Sequence, residues 1–225
     1  MRVIFNEELG QVADDMDRMA SSVRDAIHSA GHALLDPDVD VAQEVIDGDA
    51  RIDKLESSII EQCVRLLAKQ NPVATDLRVV VSTLSLSATF ERMGDLARHI
   101  AEISRRAYPQ SALPEQVLPL YRQMQDFLDT MADRLVAMLA DRDAKIAEQI
   151  IVSDDELDRL HEQSFNYALS DQWEGSKQEL IDMVLVARFM ERLGDHGVSA
   201  ARRVVYIVSG FDPTKDPKAL DLDLD

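Results

Sequence analysis

Two short stretches of this 225-residue chain carry the side chains best placed for joint chemistry: Glu91-Arg92-Met93-Gly94-Asp95 and Glu191-Arg192-Leu193-Gly194-Asp195. They lie 100 residues apart and agree at four of five positions. Each holds two carboxylates four residues apart, a spacing that brings Cβ atoms to about 5–6 Å on one helix face. Asp49/Asp53 and Asp154/Asp158 have the same spacing and recur at an offset of 105. Oxygen-only donors suit a hard divalent or trivalent cation, such as Fe, Mn, Mg or Ca, better than zinc. The candidate metal ligands are therefore Asp49, Asp53, Glu91 and Asp95, and in the second half Asp154, Asp158, Glu191 and Asp195.

Spacing alone is weak support. Among 42 acidic residues, chance supplies about five acid–aspartate pairs at this separation, against the eight present. Asp36/Asp40, Asp129/Asp133, Asp212/Asp216 and Asp221/Asp225 read as solvated helix faces. The other four pairs are duplicated, and they are also in register. The midpoint between 51 and 93 is 72, at Pro72; that between 156 and 193 is 174.5, inside Trp173–Ser176. In an antiparallel helical hairpin, residues equidistant from the turn lie level with each other. Each half thus places four carboxylates at one height on neighbouring helices. Such a cluster must be neutralised, either by a cation or by arginines (Arg51, Arg92, Arg188, Arg192, Arg202) in surface ion pairs stabilising by about 0–1 kcal/mol each.

The elements that hold these pairs are helices. Apolar residues at helical spacing, including Val12, Met16, Met19, Val23 and Ile27, predict a first helix over 6–34. Asp36-Pro37 predicts the restart of a second, running to about Lys69 before Asn71-Pro72. Thr75 is the expected cap of a third, from Asp76 to about Ala107. A fourth opens at Pro114 or nearer Pro119 and runs to about Ala140; a fifth covers 143–170 and a sixth 177–209. The tail from Gly210 to Asp225, with its Asp-Leu alternation, is expected to be mobile. Val41–Leu55 matches Ile146–Leu160 at five of fifteen positions, so the six helices form a duplicated three-helix unit.

Composition narrows the function. With 24 basic against 42 acidic residues the net charge is −18, a field that repels nucleic acid and anionic lipid. No stretch is long and apolar enough to span a membrane, MRVIFNEELG lacks the apolar core of a secretion signal, and the single Cys63 suits a reducing cytoplasm. The sequence shows no nucleophile–base set, no phosphate-cradling glycine loop and no HExxH. His99 and His196 are not repeated and read as helix-surface residues; Gly94 and Gly194 read as close helix-packing steps, Trp173 as a packing anchor.

The duplicated motif, the paired aspartates and Asn71-Pro-Val-Ala-Thr-Asp-Leu-Arg78 together resemble the PhoU family of phosphate-signalling regulators, over about residues 6–209. The Pro-x-Ala-x-Asp-Leu-Arg segment is absent from the second half. The resemblance implies an all-α fold of two tandem three-helix bundles, residues 1–110 and 111–210, followed by an acidic tail at 211–225. It implies a non-enzymatic negative regulator of phosphate uptake and the phosphate-starvation response. Such a protein is a cytoplasmic adaptor between the ATPase of a phosphate ABC transporter and a sensor histidine kinase, often a homodimer, held at the inner membrane only through partners. It also implies metal ions at the acid-x-x-x-Asp pairs. Two other readings remain: a ferritin-like di-iron oxidase or iron store, and a metal-free helical scaffold. The di-iron design needs Glu-x-x-His on two helices, whereas the only acid-x-x-His matches here are the non-equivalent Asp25/His28 and Asp158/His161.

Overall fold

A computed structural model of the chain describes residues 2–171 and 173–212; for Arg2 and Asp154 it describes the backbone alone. The expected mobile tail therefore lies, from residue 213 onward, outside the described residues, together with Asp216, Asp221 and Asp225. The described residues contain helices and no strands.

Helix α1 (Arg2–Leu35) is followed by α2 (Val39–Gln70). The cap of α2 is Asp38, not Asp36: its extended backbone lets one carboxylate accept from the N–H groups of Asp40 and Val41. Asp36 instead pairs with Arg122 at 3.3 Å. Asn71 ends α2 in the left-handed region (φ 47°) and α3 (Ala74–Ala107) follows. Thr75 is not the cap, because it lies inside the first turn; Val73 holds the extended capping position without a side-chain bond. A 3-10 turn at Glu115–Val117 leads into α4 (Leu118–Asp141), with Pro119 in the first turn, where no N–H partner is needed.

The expected fifth helix is broken in two, α5 (Ala144–Val152) and α6 (Asp154–Ala168). At Ser153 both the hydroxyl and the backbone N–H donate to the Ile150 carbonyl, which tightens the turn and diverts the helical ladder. Helix α7 (Lys177–Ser209) has the expected limits. Ser176 and Glu179 form a reciprocal capping box, and Gly210 (φ 80°) closes its end.

Three helices pack in each half: α1, α2 and α3, then α4, α5–α6 and α7. Two antiparallel contacts join the halves. Along the α3–α7 seam, Arg106 pairs with Asp182, the rings of His99 and Phe189 lie 5.4 Å apart, and Arg78 donates to the Ile207 carbonyl. Each of these partners sits near a constant sum of residue numbers, and Gly94 and Gly194 share that sum. The two motif copies are therefore level, related by an approximate two-fold axis across the seam. Along α1–α4, the buried Gln125 donates to the Ile27 carbonyl and to Asp129. Tyr121, fully buried, donates to the Met183 carbonyl and ties α4 to α7. One continuous apolar core, with Phe90, Met93, Met124 and Met190 among its members, runs through both halves.

The glycines of the motif are packing steps. A Cβ on Gly94 would sit 2.9 Å from Ile52 Cδ1, and one on Gly194 would sit 2.6 Å from Leu157 Cδ2. Ile52 and Leu157 occupy equivalent positions at the offset of 105, so the same close approach sets the height of both hairpins. Trp173 packs edge-on to Tyr167 and over Gly175.

Candidate functional site

The hairpin register brings Asp49, Asp53, Glu91 and Asp95 to one face and Asp158, Glu191 and Asp195 to another, yet the two faces differ in the cations beside them. On the first face, α2 supplies Asp49 and Asp53 and α3 supplies Glu91 and Asp95. Arg98 lies among them: its Nε is 2.7 Å from Asp49, one Nη is 2.8 Å from Asp95, and the other is 2.8 Å from Glu102. Arg92 approaches Asp95 at 3.3 Å and Glu91 at 3.5 Å. Hydrogen bonding to Asp95 and Glu102, together with the Asp49 charge, raises the Arg98 pKa despite its partial burial. Asp49 remains raised above the usual carboxylate range, first by burial and then by Asp53 and Asp95, with Arg98 opposing. Glu91 is raised by burial and by Asp95, partly offset by Arg92.

Arg98 was not among the arginines singled out from sequence. Two features could have found it: its i−3 and i+4 relations to Asp95 and Glu102, and its position almost level with Asp49 across the hairpin. Its counterpart in the second half is Val198, which is buried and apolar.

Among the described residues, no guanidinium occupies the corresponding place on the second face. Asp158 of α6 and Glu191 and Asp195 of α7 present oxygens within 4.8 Å of one another, the one such group among the described residues. Arg188 pairs with both oxygens of Glu191 from the rim. Burial and then Asp195 raise the Glu191 pKa, with Arg188 opposing. His161 faces the same group: burial and Arg188 lower its pKa, against Asp158 and Asp195. Its Nε2 is buried and has no hydrogen-bond partner. Three converging carboxylates with an orphaned imidazole nitrogen nearby fit a divalent cation. The first face is partly neutralised, by Arg98 and Arg92, and keeps a net negative charge. Asp154 begins α6 beside this group, but its side chain is outside what the structure describes.

The remaining candidates have other partners. His196 has its pKa lowered by burial and by Arg192, Asp195 opposing, and Arg92 reaches it from across the seam. His99 packs at a tilt against Phe189 and lies 3.7 Å from Glu102. Asp129 and Asp133 are each 3.7 Å from His28. Cys63 is fully buried, and burial pushes its thiol pKa up to about 11. No helix among the described residues is long and apolar enough to cross a membrane.

Fold and site define a class: a duplicated all-helical bundle with an acidic helix face in each half. A family model described as the PhoU domain matches residues 16–104 and 121–204, one match per half. The chain belongs to the PhoU family. It is 35% identical over 216 residues to the phosphate-specific transport system accessory protein PhoU homolog 1 of Mycobacterium tuberculosis, covering 96% of this chain and 98% of that one. A PhoU homolog of Pseudomonas aeruginosa is 29% identical over 210 residues, covering 92% and 86%. Among solved structures, PhoU from Pseudomonas aeruginosa superposes with a TM-score of 0.87 at 28% identity, over 92% of this chain and all of that one. The phosphate transport system regulatory protein PhoU from Streptococcus pneumoniae gives 0.80 at 25% identity, over 92% and 98%.

Proposed function

We propose that this protein is an accessory, non-enzymatic negative regulator of phosphate uptake and of the phosphate-starvation response. It works as a cytoplasmic adaptor between a phosphate-transport ATPase and a sensor histidine kinase, as a homodimer held at the membrane through those partners. Residues 1–110 and 111–210 are its two structural units. Family membership across both halves carries this reading. The test is affinity capture of the tagged chain from cells grown in high and low phosphate. Recovery of a transport ATPase or kinase that changes with phosphate is expected; recovery of neither in either condition refutes the adaptor role.

A metal ion on the acidic faces belongs to the same proposal, and the convergence of Asp158, Glu191 and Asp195 within 4.8 Å supports it. These carboxylates would hold Fe, Mn, Mg or Ca, with Asp154 and His161 beside them. On the first face Asp49, Asp53, Glu91 and Asp95 would do so once Arg98 swings away. The bound cation would supply positive charge that fixes α6 against α7 and neutralises a surface that partners approach. Asp95→Asn plus Asp195→Asn should lower both metal content and partner recovery. Unchanged values of both refute the metal role.

A further inference from the structure

Beyond the acidic faces, the duplication has kept a second feature that burial does not require. Four positions carry large apolar side chains exposed to solvent in both halves; one pair, Tyr108 and Val208, lies at the ends of α3 and α7 far from the hairpin turns, and the other three fall together. Ile60 and its counterpart Phe165 are 38% and 39% exposed, Val64 and Leu169 54% and 83%, Val81 and Ile181 50% and 53%. Isolated exposed apolar residues are ordinary on protein surfaces. These recur in pairs at the offsets of the repeat, although the two halves differ at most other surface positions.

They also line up with the carboxylates. At 100° per residue, Asp49, Asp53, Ile60 and Val64 of α2 fall within roughly 60° of arc, and Asp158 and Phe165 of α6, with Leu169 at its C-cap, within roughly 40°. Val81 of α3 and Ile181 of α7 fall within roughly 80° of the carboxylates on their own helices. Across each hairpin the register that sets Asp49 level with Asp95 sets Val64 level with Val81. The register that sets Asp158 level with Glu191 sets Leu169 level with Ile181. Exposed Leu77 extends the first row. His161 connects the two chemistries: it lies on the helix that carries Asp158, with its ring edge-on to Phe165 at 5.0 Å. Each half thus presents an apolar row that starts at an acidic patch and runs toward its own hairpin turn. From Asp53 to Val64 the rise is about 16 Å, the length of roughly three helical turns. Because α3 and α7 are antiparallel and level at their glycines, the two rows leave a shared central height in opposite directions.

Charge selects the occupant. A second copy of this chain would bring acidic patch against acidic patch, and an anionic membrane or nucleic acid is repelled by a chain of net charge −18. A helix with apolar residues at i, i+3, i+4 and i+7 and lysine or arginine at one end satisfies both parts of the row. We infer that this protein has two pseudo-equivalent docking rows, one on α2–α3 and one on α6–α7, each taking one cationic amphipathic helix of about three turns from a partner protein. It follows that one chain binds two copies of the same segment, as a two-fold symmetric partner would offer them. The inference stands on geometry and charge. It does not depend on which transport or signalling protein supplies the helix.

The test uses the full chain and a synthetic 14-residue helical peptide of leucine and lysine in that pattern, titrated calorimetrically with chelator present. Two peptides per chain are expected, with affinity falling as salt rises. Val64→Ser plus Val81→Ser should leave one site, as should Leu169→Ser plus Ile181→Ser. All four together should weaken binding about tenfold or more. All four side chains are at least half exposed, so the variants keep the fold, which circular dichroism checks. The inference is overturned by absent or one-to-one binding to the wild type, or by unchanged binding to the fourfold variant. Equal binding of the same peptide with glutamate for lysine overturns it too. So does a wild-type dimer that the fourfold variant turns into a monomer, or a wild type that binds anionic vesicles through these rows. Affinity capture with phosphate can succeed while this titration fails, so the two readings fall separately.

Discussion

Replacing Asp195 by asparagine should stabilise the metal-free protein. Its carboxylate shares a space of 4.8 Å with those of Asp158 and Glu191, and it has no ion pair among the described residues. Two like charges 4.8 Å apart repel by about 0.9 kcal/mol in a water-like dielectric and about 3.5 kcal/mol at an effective constant of 20. Asp158 and Asp195 are exposed, so the lower figure applies, and physiological salt, with a Debye length of about 8 Å, cuts it by about half. Removing two such repulsions should add about 1 kcal/mol at physiological salt and about 2 kcal/mol at low salt. For a chain of this size 1 kcal/mol corresponds to a Tm rise of about 2–4 °C. Asp95→Asn should act in the opposite direction, because Asp95 is held by Arg98 at 2.8 Å and Arg92 at 3.3 Å. Thermal unfolding followed by circular dichroism in chelator, at two salt concentrations, reads both. Mn(II) at a hundredfold its dissociation constant should then stabilise the wild type by about 2.7 kcal/mol and Asp195→Asn far less. A destabilised, salt-insensitive Asp195→Asn protein that keeps the full Mn(II) response would refute the electrostatic account of the second face.

Arg98→Met should cost about 1–3 kcal/mol at neutral pH in urea unfolding, since it strands Asp49 and Asp95 against each other; the loss should shrink as pH falls and Asp49, whose pKa burial holds above the ordinary carboxylate range, protonates. In chelator, wild-type stability should fall as pH rises through the titration of Asp49, Glu91 and Glu191. Their folded pKa values are raised, so the native state binds more protons than the unfolded one above the ordinary carboxylate range, and a rise in stability there with increasing pH would contradict this. Gly31→Ala should destabilise by about 1–3 kcal/mol despite its better helix propensity, because the new Cβ would lie 1.9 Å from Gln125 Cδ. Gly10→Ala, with nothing within 4 Å, should instead stabilise by about 0.5–1 kcal/mol, and equal effects of the two in thermal melts would show that the contact does not matter. Cys63 should not react with a thiol reagent at pH 8 in the folded protein, because its thiol is buried and titrates at about 11; rapid labelling would show that the core opens.

Helix limits were legible where a local signal was strong and unopposed. Ser176 with Glu179 at one end and Gly210 at the other fixed α7 at Lys177–Ser209. Signals failed where two residues competed for one role. Asp38 caps α2 although Asp36-Pro37 has the stronger pattern, because the chain reaches an extended conformation only after Pro37. The break at Ser153 was hidden because apolar spacing continues through it and a serine hydroxyl can serve or divert the helical ladder equally well.

Sequence by itself determined the duplication, the helical hairpins and the approximate height at which the carboxylates meet, because residues equidistant from a turn lie level; the glycine steps against Ile52 and Leu157 then fix that height. Tertiary structure decided what those carboxylates meet. That Arg98 sits between Asp49 and Asp95, whereas buried Val198 stands in its place beside Asp158, Glu191 and Asp195, is a matter of where side chains lie once two helices are packed. The level, antiparallel seam of α3 on α7 was likewise fixed only by packing. It joins residues about a hundred positions apart, where no turn sets the register and only the fit of side chains such as His99 on Phe189 can.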